Sequence, residues 1–204
     1  MGAPGPSAGG SSQGGPPLGP AGVLETARLS LRPLVEADLP ALIDGVGRPE
    51  VARWLIRVPH PYTEADARAW LRVCTTAGAA GTLLHRVALP RGGDRIVGAV
   101  SLVRSRADAP EAELGYWLAP EVWGRGYGTE MASALVAAGF RDLGLIAVRA
   151  AAEPGNTASN RVLAKAGLML ERVDPAHDRG LRGPPGPANL WRITRTEWER
   201  MHGR

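Results

Sequence analysis

The stretch Trp123-Gly-Arg-Gly-Tyr-Gly-Thr-Glu130 follows a predicted strand, residues 111–118, and precedes the clearest predicted helix, residues 129–143. Its glycines lack the Cβ atoms that keep a ligand away from the backbone, so consecutive N–H groups converge on one anion. The positive end of the helix dipole lies at the same place, and Arg125 adds a charge-assisted contact. The stretch therefore predicts a phosphate or pyrophosphate site, although such a glycine run alone is also typical of a tight turn.

The segments around this turn follow one another in a regular order of strand and helix patterns. Residues 28–33 alternate polar and apolar side chains, and Thr63 is placed to cap a helix. Two apolar runs joined by Arg91-Gly-Gly-Asp94 suit an antiparallel hairpin, and Gly167 is expected to end a later helix. The predicted strands are 28–33, 83–89, 96–103, 111–118, 146–152, 168–173 and about 190–193, and the predicted helices are 36–45, 63–77, 129–143 and 156–166.

This order predicts an α/β fold of the mixed α+β kind, with a central, mostly antiparallel sheet of about seven strands and helices on both faces. At 204 residues, 44% of them hydrophobic, the chain is long enough for one core and short for two. We therefore expect a single domain over residues 23–204. Residues 1–22 are mostly Gly, Pro, Ala and Ser without an ionisable side chain, which predicts a disordered tail.

Charge and rare residues narrow the class of protein. The net charge of +4 comes from scattered arginines rather than a basic block, which argues against a nucleic-acid partner and fits a small anionic ligand. The lone Cys74 forms no internal disulfide, and no export signal or membrane-spanning run is present, so we expect a cytoplasmic protein. His60, His85, His177 and His202 lack metal-ligand spacing, so no metal is predicted.

The glycine stretch resembles the acetyl-CoA signature of the GNAT acetyltransferase superfamily, Gln/Arg-x-x-Gly-x-Gly/Ala, at the same strand-to-helix turn. Gly126 and Gly128 match its two small positions, whereas Trp123 departs from its first position. The RimJ/RimL-type branch is more similar, because it often reads Trp-Gly-x-Gly-Tyr-Ala/Gly-Thr-Glu. Three further stretches resemble that branch in order and spacing, and the likeness covers residues 24–198: Thr26-x-Arg28-Leu-x-Leu-Arg-Pro33, Glu113-Leu-Gly-Tyr-Trp-Leu118 and Asn156-Thr-Ala-Ser159-Asn-Arg-Val-Leu-Ala-Lys165-Ala-Gly-Leu168.

The resemblance implies how acetyl-CoA is held. The fourth and fifth predicted strands are expected to splay apart around the pantetheine, and the pyrophosphate is expected on backbone N–H groups of the glycine stretch. Asn156 either caps its helix or bonds the cofactor amides, and both roles are compatible. The expected cofactor-binding residues are Trp117, Leu118, Trp123, Gly124, Arg125, Gly126, Tyr127, Gly128, Thr129, Asn156 and Asn160. Of the motif residues, Tyr127 is expected to pack beneath the turn and Glu130 to act as a first-turn acid.

Acetylation of an amine requires removal of a proton from nitrogen, stabilisation of an oxyanion and protonation of the departing thiolate. Many superfamily members use a tyrosine where this chain has Leu163, so that acid is excluded. The branch instead has a serine at Ser159, which we hypothesise bonds or protonates the CoA sulfur; an ordinary helix-surface serine is the alternative. Glu113 is the candidate base, with Glu111 on the same strand face, but strand carboxylates are usually solvated and a water-relayed base stays open.

The acceptor is less defined than the cofactor. The sequence favours acetyl transfer by direct attack in a ternary complex to a primary amine, such as a protein N-terminal α-amine. A small amine such as an amino sugar or polyamine is the alternative, and a non-catalytic CoA-binding regulatory domain is another. Isolated tryptophans either line an acceptor groove or pack in the core. The Gly/Pro-rich loop 179–186 is a candidate specificity loop. Homodimers are common in the family, but the sequence shows no symmetric patch that would predict a dimer interface.

Overall fold

The computed structural model describes residues 22–203. The tail predicted over residues 1–22 therefore lies, apart from Gly22, outside the described part of the chain. Within residues 22–203, no helix is long and apolar enough to cross a membrane. The same residues contain no cluster of three or more His, Cys, Asp or Glu side chains that could hold a metal ion.

An eight-stranded mixed sheet forms the centre of the molecule, in the order β1-β2-β3-β4-β5-β6-β8-β7. All neighbouring pairs are antiparallel except β5 and β6, which run parallel. The sequence prediction of a mixed, mostly antiparallel sheet is thus confirmed. The strands are β1 Leu24–Glu25, β2 Leu29–Arg32, β3 Leu83–Pro90, β4 Gly98–Val103, β5 Glu111–Leu118, β6 Ala147–Ala152, β7 Met169–His177 and β8 Gly186–Thr194.

Helices cover both faces of the sheet, because alternate residues of the strands feed two apolar cores. On one face, Val100 and Leu114 pack with residues of α4, α5 and α6, while on the other Val87 and Ala99 pack with α1 and α3. The helices are α1 Leu39–Gly47, α2 Pro49–Ala52, α3 Glu64–Ala79, α4 Tyr127–Arg141, α5 Thr157–Lys165 and α6 Arg195–Met201, and short 3-10 turns lie at Glu36–Asp38, Pro120–Val122 and Gly180–Arg182.

The sheet opens between its two parallel strands. β5 and β6 pair only at Glu111 with Ala147, Ala112 with Val148, and Glu113 with Arg149. Beyond Glu113 the described strands form no further β5–β6 pairs, so the rest of β5, up to Leu118, diverges from β6. This is the splay that the family resemblance implies, and it leaves a gap through the sheet.

Several predicted boundaries differ from the structure. α4 begins at Tyr127 rather than residue 129, because the left-handed Gly126 (φ 81°) directly precedes it and Gly128 is already helical. β7 and β8 are longer than predicted, and the two-residue β1 and the C-terminal α6 were missed. The predicted helix cap at Thr63 and the helix stop at Gly167 (φ 92°) are confirmed.

Candidate active site

The glycine turn connects the end of β5 to α4. Gly124 (φ 73°) and Gly126 (φ 81°) adopt the left-handed conformation, which costs a residue with a side chain roughly 1–2 kcal/mol. Trp123 donates its indole N–H to the carbonyl of Leu118 at 2.8 Å and so holds the turn against the end of β5. Gly128 has another role, because a Cβ there would lie 3.1 Å from Val162 of α5. It allows α4 and α5 to pack closely.

The first turn of α4 offers backbone donors to a large cavity. Glu130 N–H makes the first helical bond, to the carbonyl of Gly126, so the N–H groups of Tyr127, Gly128 and Thr129 have no acceptor within the helix. These three residues line a cavity of about 1100 Å³. Tyr127 is among the residues predicted to bind the cofactor, and the earlier helix start adds its N–H group to these donors. Arg125 does not line the cavity, and its carbonyl accepts a bond from Arg28 Nη1 at 2.8 Å.

Hydrogen bonds to Glu130 brace the glycine turn against the N-terminal segment. Its carboxylate accepts hydrogen bonds from Thr26 Oγ1, the Arg28 N–H and Arg28 Nε, each at 2.7 Å. Burial opposes ionisation of this group, but these hydrogen bonds outweigh it and lower the pKa of Glu130. The Arg28 guanidinium also lies 4.8 Å from the centre of the Tyr127 ring. Glu130 is therefore more than the first-turn acid predicted, since it ties the N-terminal segment to the glycine turn.

The gap exposes the backbone of β5. The Ala119 N–H donates to the Val97 carbonyl, so the backbone of Ala119 faces β4. Because the N–H and C=O groups of successive residues in an antiparallel strand point to opposite sides, those of Trp117 also face β4. The N–H and C=O groups of Tyr116 and Leu118 therefore point into the gap. Because the Leu118 carbonyl already accepts the Trp123 indole N–H, the Leu118 N–H and the Tyr116 backbone are the groups left to pair with an extended ligand. Trp117 and Leu118, both predicted cofactor-binding residues, line the cavity, but of the two only Leu118 directs its backbone into the gap.

Asn156 and Ser159 stand at the start of α5, on the cavity wall. Asn156 Oδ1 accepts the Ser159 N–H at 3.1 Å, so its predicted capping role is confirmed. The Ser159 hydroxyl lies 2.9 Å from the Tyr116 hydroxyl. Burial raises the pKa of Tyr116 to about 12, against the opposing effect of its bond to Ser159, so the phenol stays protonated at neutral pH. Sequence reasoning missed Tyr116, although it lies within the quoted Glu113–Leu118 motif.

Asn160 is placed differently from its prediction. Its amide NH₂ donates to the carbonyls of Glu153 and Asn156, at 2.9 and 2.8 Å. Its Oδ1 accepts from Asn189 Nδ2 at 2.8 Å and from Trp191 Nε1 at 3.0 Å. Every polar group of this side chain is thus used inside the protein, and Asn160 does not line the cavity. The structure does not support a direct contact with CoA and gives Asn160 the role of linking α5 to β8.

The two candidate base residues have different surroundings. Glu113 lines the cavity, but its side chain is 46% exposed and pairs with Arg57 at 2.9 Å. Glu111 lies off the cavity and pairs with Arg149 at 2.5 Å and Arg192 at 3.1 Å. Burial acts against ionisation of Glu111, but the arginine contacts prevail and lower its pKa. Only Glu113 is therefore in position to contact a substrate, and it lacks the burial expected of a tuned base.

The cavity continues through the sheet to the face that carries α1 and α3. Trp54 and Trp70 line it there, whereas Trp198 is buried in the core and Trp191 bonds Asn160. His85 also lies in this wall and is only 8% exposed. Its Nε2 faces the Trp70 indole N–H at 3.4 Å, and its buried Nδ1 has no hydrogen-bond partner among residues 22–203. Burial, helped by the neighbouring Arg86 cation, lowers the pKa of His85 to about 4.

Hydrogen bonds hold the predicted specificity loop, residues 179–186, to segment 52–58 beside this part of the cavity. Leu181 donates its N–H to the carbonyl of Ile56 at 2.7 Å. Arg182 donates from Nε to the carbonyl of Ala52 at 2.9 Å and from Nη2 to that of Val58 at 2.5 Å. The loop therefore forms a bridge with segment 52–58 instead of hanging free.

A mixed sheet split between two parallel strands, with a helix N-terminus and a glycine turn aimed at the split, defines a fold and site of the acyl-CoA-dependent acyltransferase class. The family model of the acetyltransferase (GNAT) domain matches residues 28–169. The chain belongs to this family.

Individual relatives agree with this assignment. An uncharacterized N-acetyltransferase, YoaA, from Bacillus subtilis is 28% identical over 151 residues, which cover 74% of this chain and 85% of the relative. Among solved structures, ribosomal-protein-S5-alanine acetyltransferase from Vibrio fischeri superposes with a TM-score of 0.76 at 20% identity, over 86% of this chain and 98% of that one. RimJ from Mycobacterium smegmatis, in complex with CoA-disulfide, gives 0.73 at 21%, over 89% and 94%.

Spermidine N-acetyltransferase from Vibrio cholerae, in complex with CoA and spermine, superposes with a TM-score of 0.71 at 16% identity, over 83% of this chain and 97% of that one. At these identities the structural likenesses show the fold alone. The chain is thus an N-acetyltransferase of the GNAT family, and its activity is acetyl transfer from acetyl-CoA to an amine.

Proposed function

We propose that this enzyme acetylates the α-amine of a peptide or protein N-terminus by direct attack while both substrates are bound. One observation carries the proposal. β5 and β6 separate beyond Glu113, and the cavity at this gap is lined from both faces of the sheet, by Val162 of α5 on one side and Trp70 of α3 on the other. Two substrates that enter such a gap from opposite faces of the sheet are bound at the same time and meet inside it.

The cofactor side of the cavity fits CoA. The N–H groups of Tyr127, Gly128 and Thr129 would hold the pyrophosphate, and the left-handed Gly124 and Gly126 let it approach the backbone. The exposed backbone of Tyr116 and Leu118 would pair with the pantetheine amides. Two cations that sequence reasoning missed, Arg161 and Lys165, lie one turn apart on α5 and line the same cavity. They add positive charge for the phosphates.

Bound acetyl-CoA supplies the thioester, in which the carbonyl carbon forms a C–N bond as its C–S bond breaks and sulfur leaves as a thiolate. Ser159 would donate a hydrogen bond or proton to that sulfur. The Tyr116 hydroxyl, 2.9 Å from the Ser159 hydroxyl, would orient the serine and return a proton to it. The attacking amine must lose its proton on the face of the sheet opposite Ser159. Glu113 is the carboxylate on that wall, and its half-exposed side chain suits proton removal through water.

A substitution at Ser159 tests its assigned role. We expect Ser159→Ala to lower kcat by about tenfold or more with unchanged affinity for CoA, because the thiolate loses its proton donor. Ser133→Ala on α4, away from the cavity, is the matched control. A Ser159→Ala enzyme with wild-type kcat and cofactor affinity would exclude the role.

A substrate panel tests the reaction itself. The full chain is incubated with acetyl-CoA and peptides, polyamines or amino sugars while free thiol is measured. We expect steady thiol release with peptides that have a free N-terminus and none with the same peptides blocked by acetylation. CoA binding without thiol release from any acceptor would overturn the proposal and support a non-catalytic CoA-binding domain.

A further inference from the structure

Gly115 occupies an unusual position in the middle of β5. It is exposed, although it pairs with β4 and its neighbour Leu114 is buried. It does not have a positive φ, and the nearest atom to a Cβ built there is Ser101 Oγ at 3.5 Å, an ordinary contact. Neither backbone strain nor crowding therefore requires glycine. A glycine inside a strand weakens the sheet and often marks a place where a ligand comes close.

The location of Gly115 fits such an approach. It lies two residues beyond Glu113, the last β5 residue paired with β6, and so at the opening of the gap. Across the sheet it pairs with Ser101 of β4, which in turn pairs with His85 of β3. All three line the cavity on the face opposite Tyr116 and Ser159. The missing side chain leaves a passage from this face into the gap.

Aromatic side chains form the walls around this passage. Trp54, Tyr62, Trp70 and Trp117 all line the cavity and are partly exposed within it. Burial raises the pKa of Tyr62 to about 12, so its phenol also stays neutral near pH 7. Such walls stabilise an apolar or aromatic body through the area that it removes from water.

The charges of the cavity argue against a polycation. Among the described residues, four carboxylates line it and each already accepts a hydrogen bond. Two are held by cations, Glu113 by Arg57 at 2.9 Å and Glu153 by Arg179 at 2.7 Å. Asp66 belongs to the helix cap with Thr63.

The fourth carboxylate, Asp178, accepts the Gly180 N–H at 2.8 Å. Arg53 also lines the cavity, and within residues 22–203 it forms no ion pair; its guanidinium lies 4.4 Å from the centre of the Trp54 ring. Two of the four carboxylates are therefore paired with a cation, but among the described residues six Arg and Lys side chains line the cavity against these four carboxylates. A second ammonium on the acceptor would meet an excess of positive charge.

We propose that the acceptor is a primary amine attached to a large apolar or aromatic group without a second cation, as in a peptide beginning with Phe or Leu, and that its amine reaches the thioester across Gly115. This inference rests on the proposed function and makes its acceptor specific. The chemistry is unchanged: the nitrogen forms a bond to the acetyl carbon, the C–S bond breaks, nitrogen loses a proton and sulfur gains one.

The first experiment compares acceptors on the full chain. Peptides of one length that differ only at the first residue (Phe, Leu, Ala or Lys) are tested with spermidine at saturating acetyl-CoA, and kcat/KM is measured by thiol release. We expect the Phe and Leu peptides to exceed the Ala and Lys peptides and spermidine by about tenfold or more, as the loss of a few buried carbons implies. Equal or higher kcat/KM with spermidine, Lys or Ala would overturn the inference while leaving acetyl transfer to amines intact.

The second experiment narrows the passage with Gly115→Val. We expect kcat/KM for the Phe peptide to fall about tenfold or more, with CoA affinity and melting temperature close to wild type, because a Cβ at this position has room. Gly47→Ala, at the end of α1 with no atom within 4 Å of the new Cβ, is the control. An unchanged kcat/KM for Gly115→Val would overturn the passage. Failure of thiol release with every acceptor would overturn the proposed function and this inference together.

Discussion

The buried His85 predicts a specific loss of stability in acid. Its pKa of about 4, against an ordinary value of 6.5, means that the unfolded chain binds a proton more readily than the folded chain does. The stabilisation is therefore fully present above pH 6.5 and is lost as pH falls through about 4. At 1.36 kcal/mol per pH unit, the free energy of unfolding falls by about 3 kcal/mol by pH 4 and by about 1.4 kcal/mol by pH 5.5.

Contacts around the ring give the physical reason. Nε2 faces the Trp70 indole, which only donates, so a proton on Nε2 would remove that contact and leave a buried cation beside Arg86. In His85→Gln, no group at this position titrates between pH 4 and 7. A loss of about 3 kcal/mol is a large fraction of the stability of an ordinary domain.

Urea unfolding at pH 7, 5.5 and 4 measures the effect. Carboxylates titrate in both proteins, so the difference between wild type and His85→Gln isolates the imidazole. We expect the wild type to lose about 3 kcal/mol more than the variant between pH 7 and pH 4. His60→Gln, at an exposed position, should follow the wild type. Parallel curves for wild type and His85→Gln would refute the reasoning.

Three further substitutions test the cofactor side. Tyr116→Phe should lower kcat several-fold without changing CoA affinity, because Ser159 loses its hydroxyl partner; a rate equal to wild type in the thiol assay would count against the pair. Gly126→Ala should lower stability by roughly 1–2 kcal/mol and weaken CoA binding in calorimetry, since alanine is strained at φ 81° and its Cβ would lie 3.3 Å from Arg28. Glu130→Ala should cost about 2–3 kcal/mol in urea unfolding, because three hydrogen bonds to one carboxylate are lost; a loss below about 0.5 kcal/mol would contradict the brace.

Local sequence patterns were sufficient to predict much of the fold and part of the candidate site. The apolar face of α4, with Met131, Leu135 and Phe140 buried, is visible from helical spacing alone. The helix start was misplaced because the glycines at 124, 126 and 128 look alike in sequence, while only the first two have a positive φ. β7 escaped full recognition because it is an edge strand. Its Met169, Leu170 and Val173 are about half exposed, so no alternation marks its extent.

The contacts missed in the site join residues far apart in the chain. Tyr116 and Ser159 are 43 positions apart, and Thr26 and Glu130 are 104 apart. No periodicity relates such positions, since tertiary packing alone brings them together. By contrast, the Asn156 cap acts three residues along the chain, within reach of sequence reasoning.

The Glu130 brace bears on how short a functional version of this enzyme can be. The family model begins at residue 28, yet one of the hydrogen bonds to Glu130 comes from the hydroxyl of Thr26, whose backbone N–H donates to the Leu29 carbonyl. Trimming the chain at the family boundary would leave every glycine of the phosphate turn in place and still remove part of its support. We therefore expect the minimal catalytic unit to start upstream of the family-model boundary, at Thr26 or before.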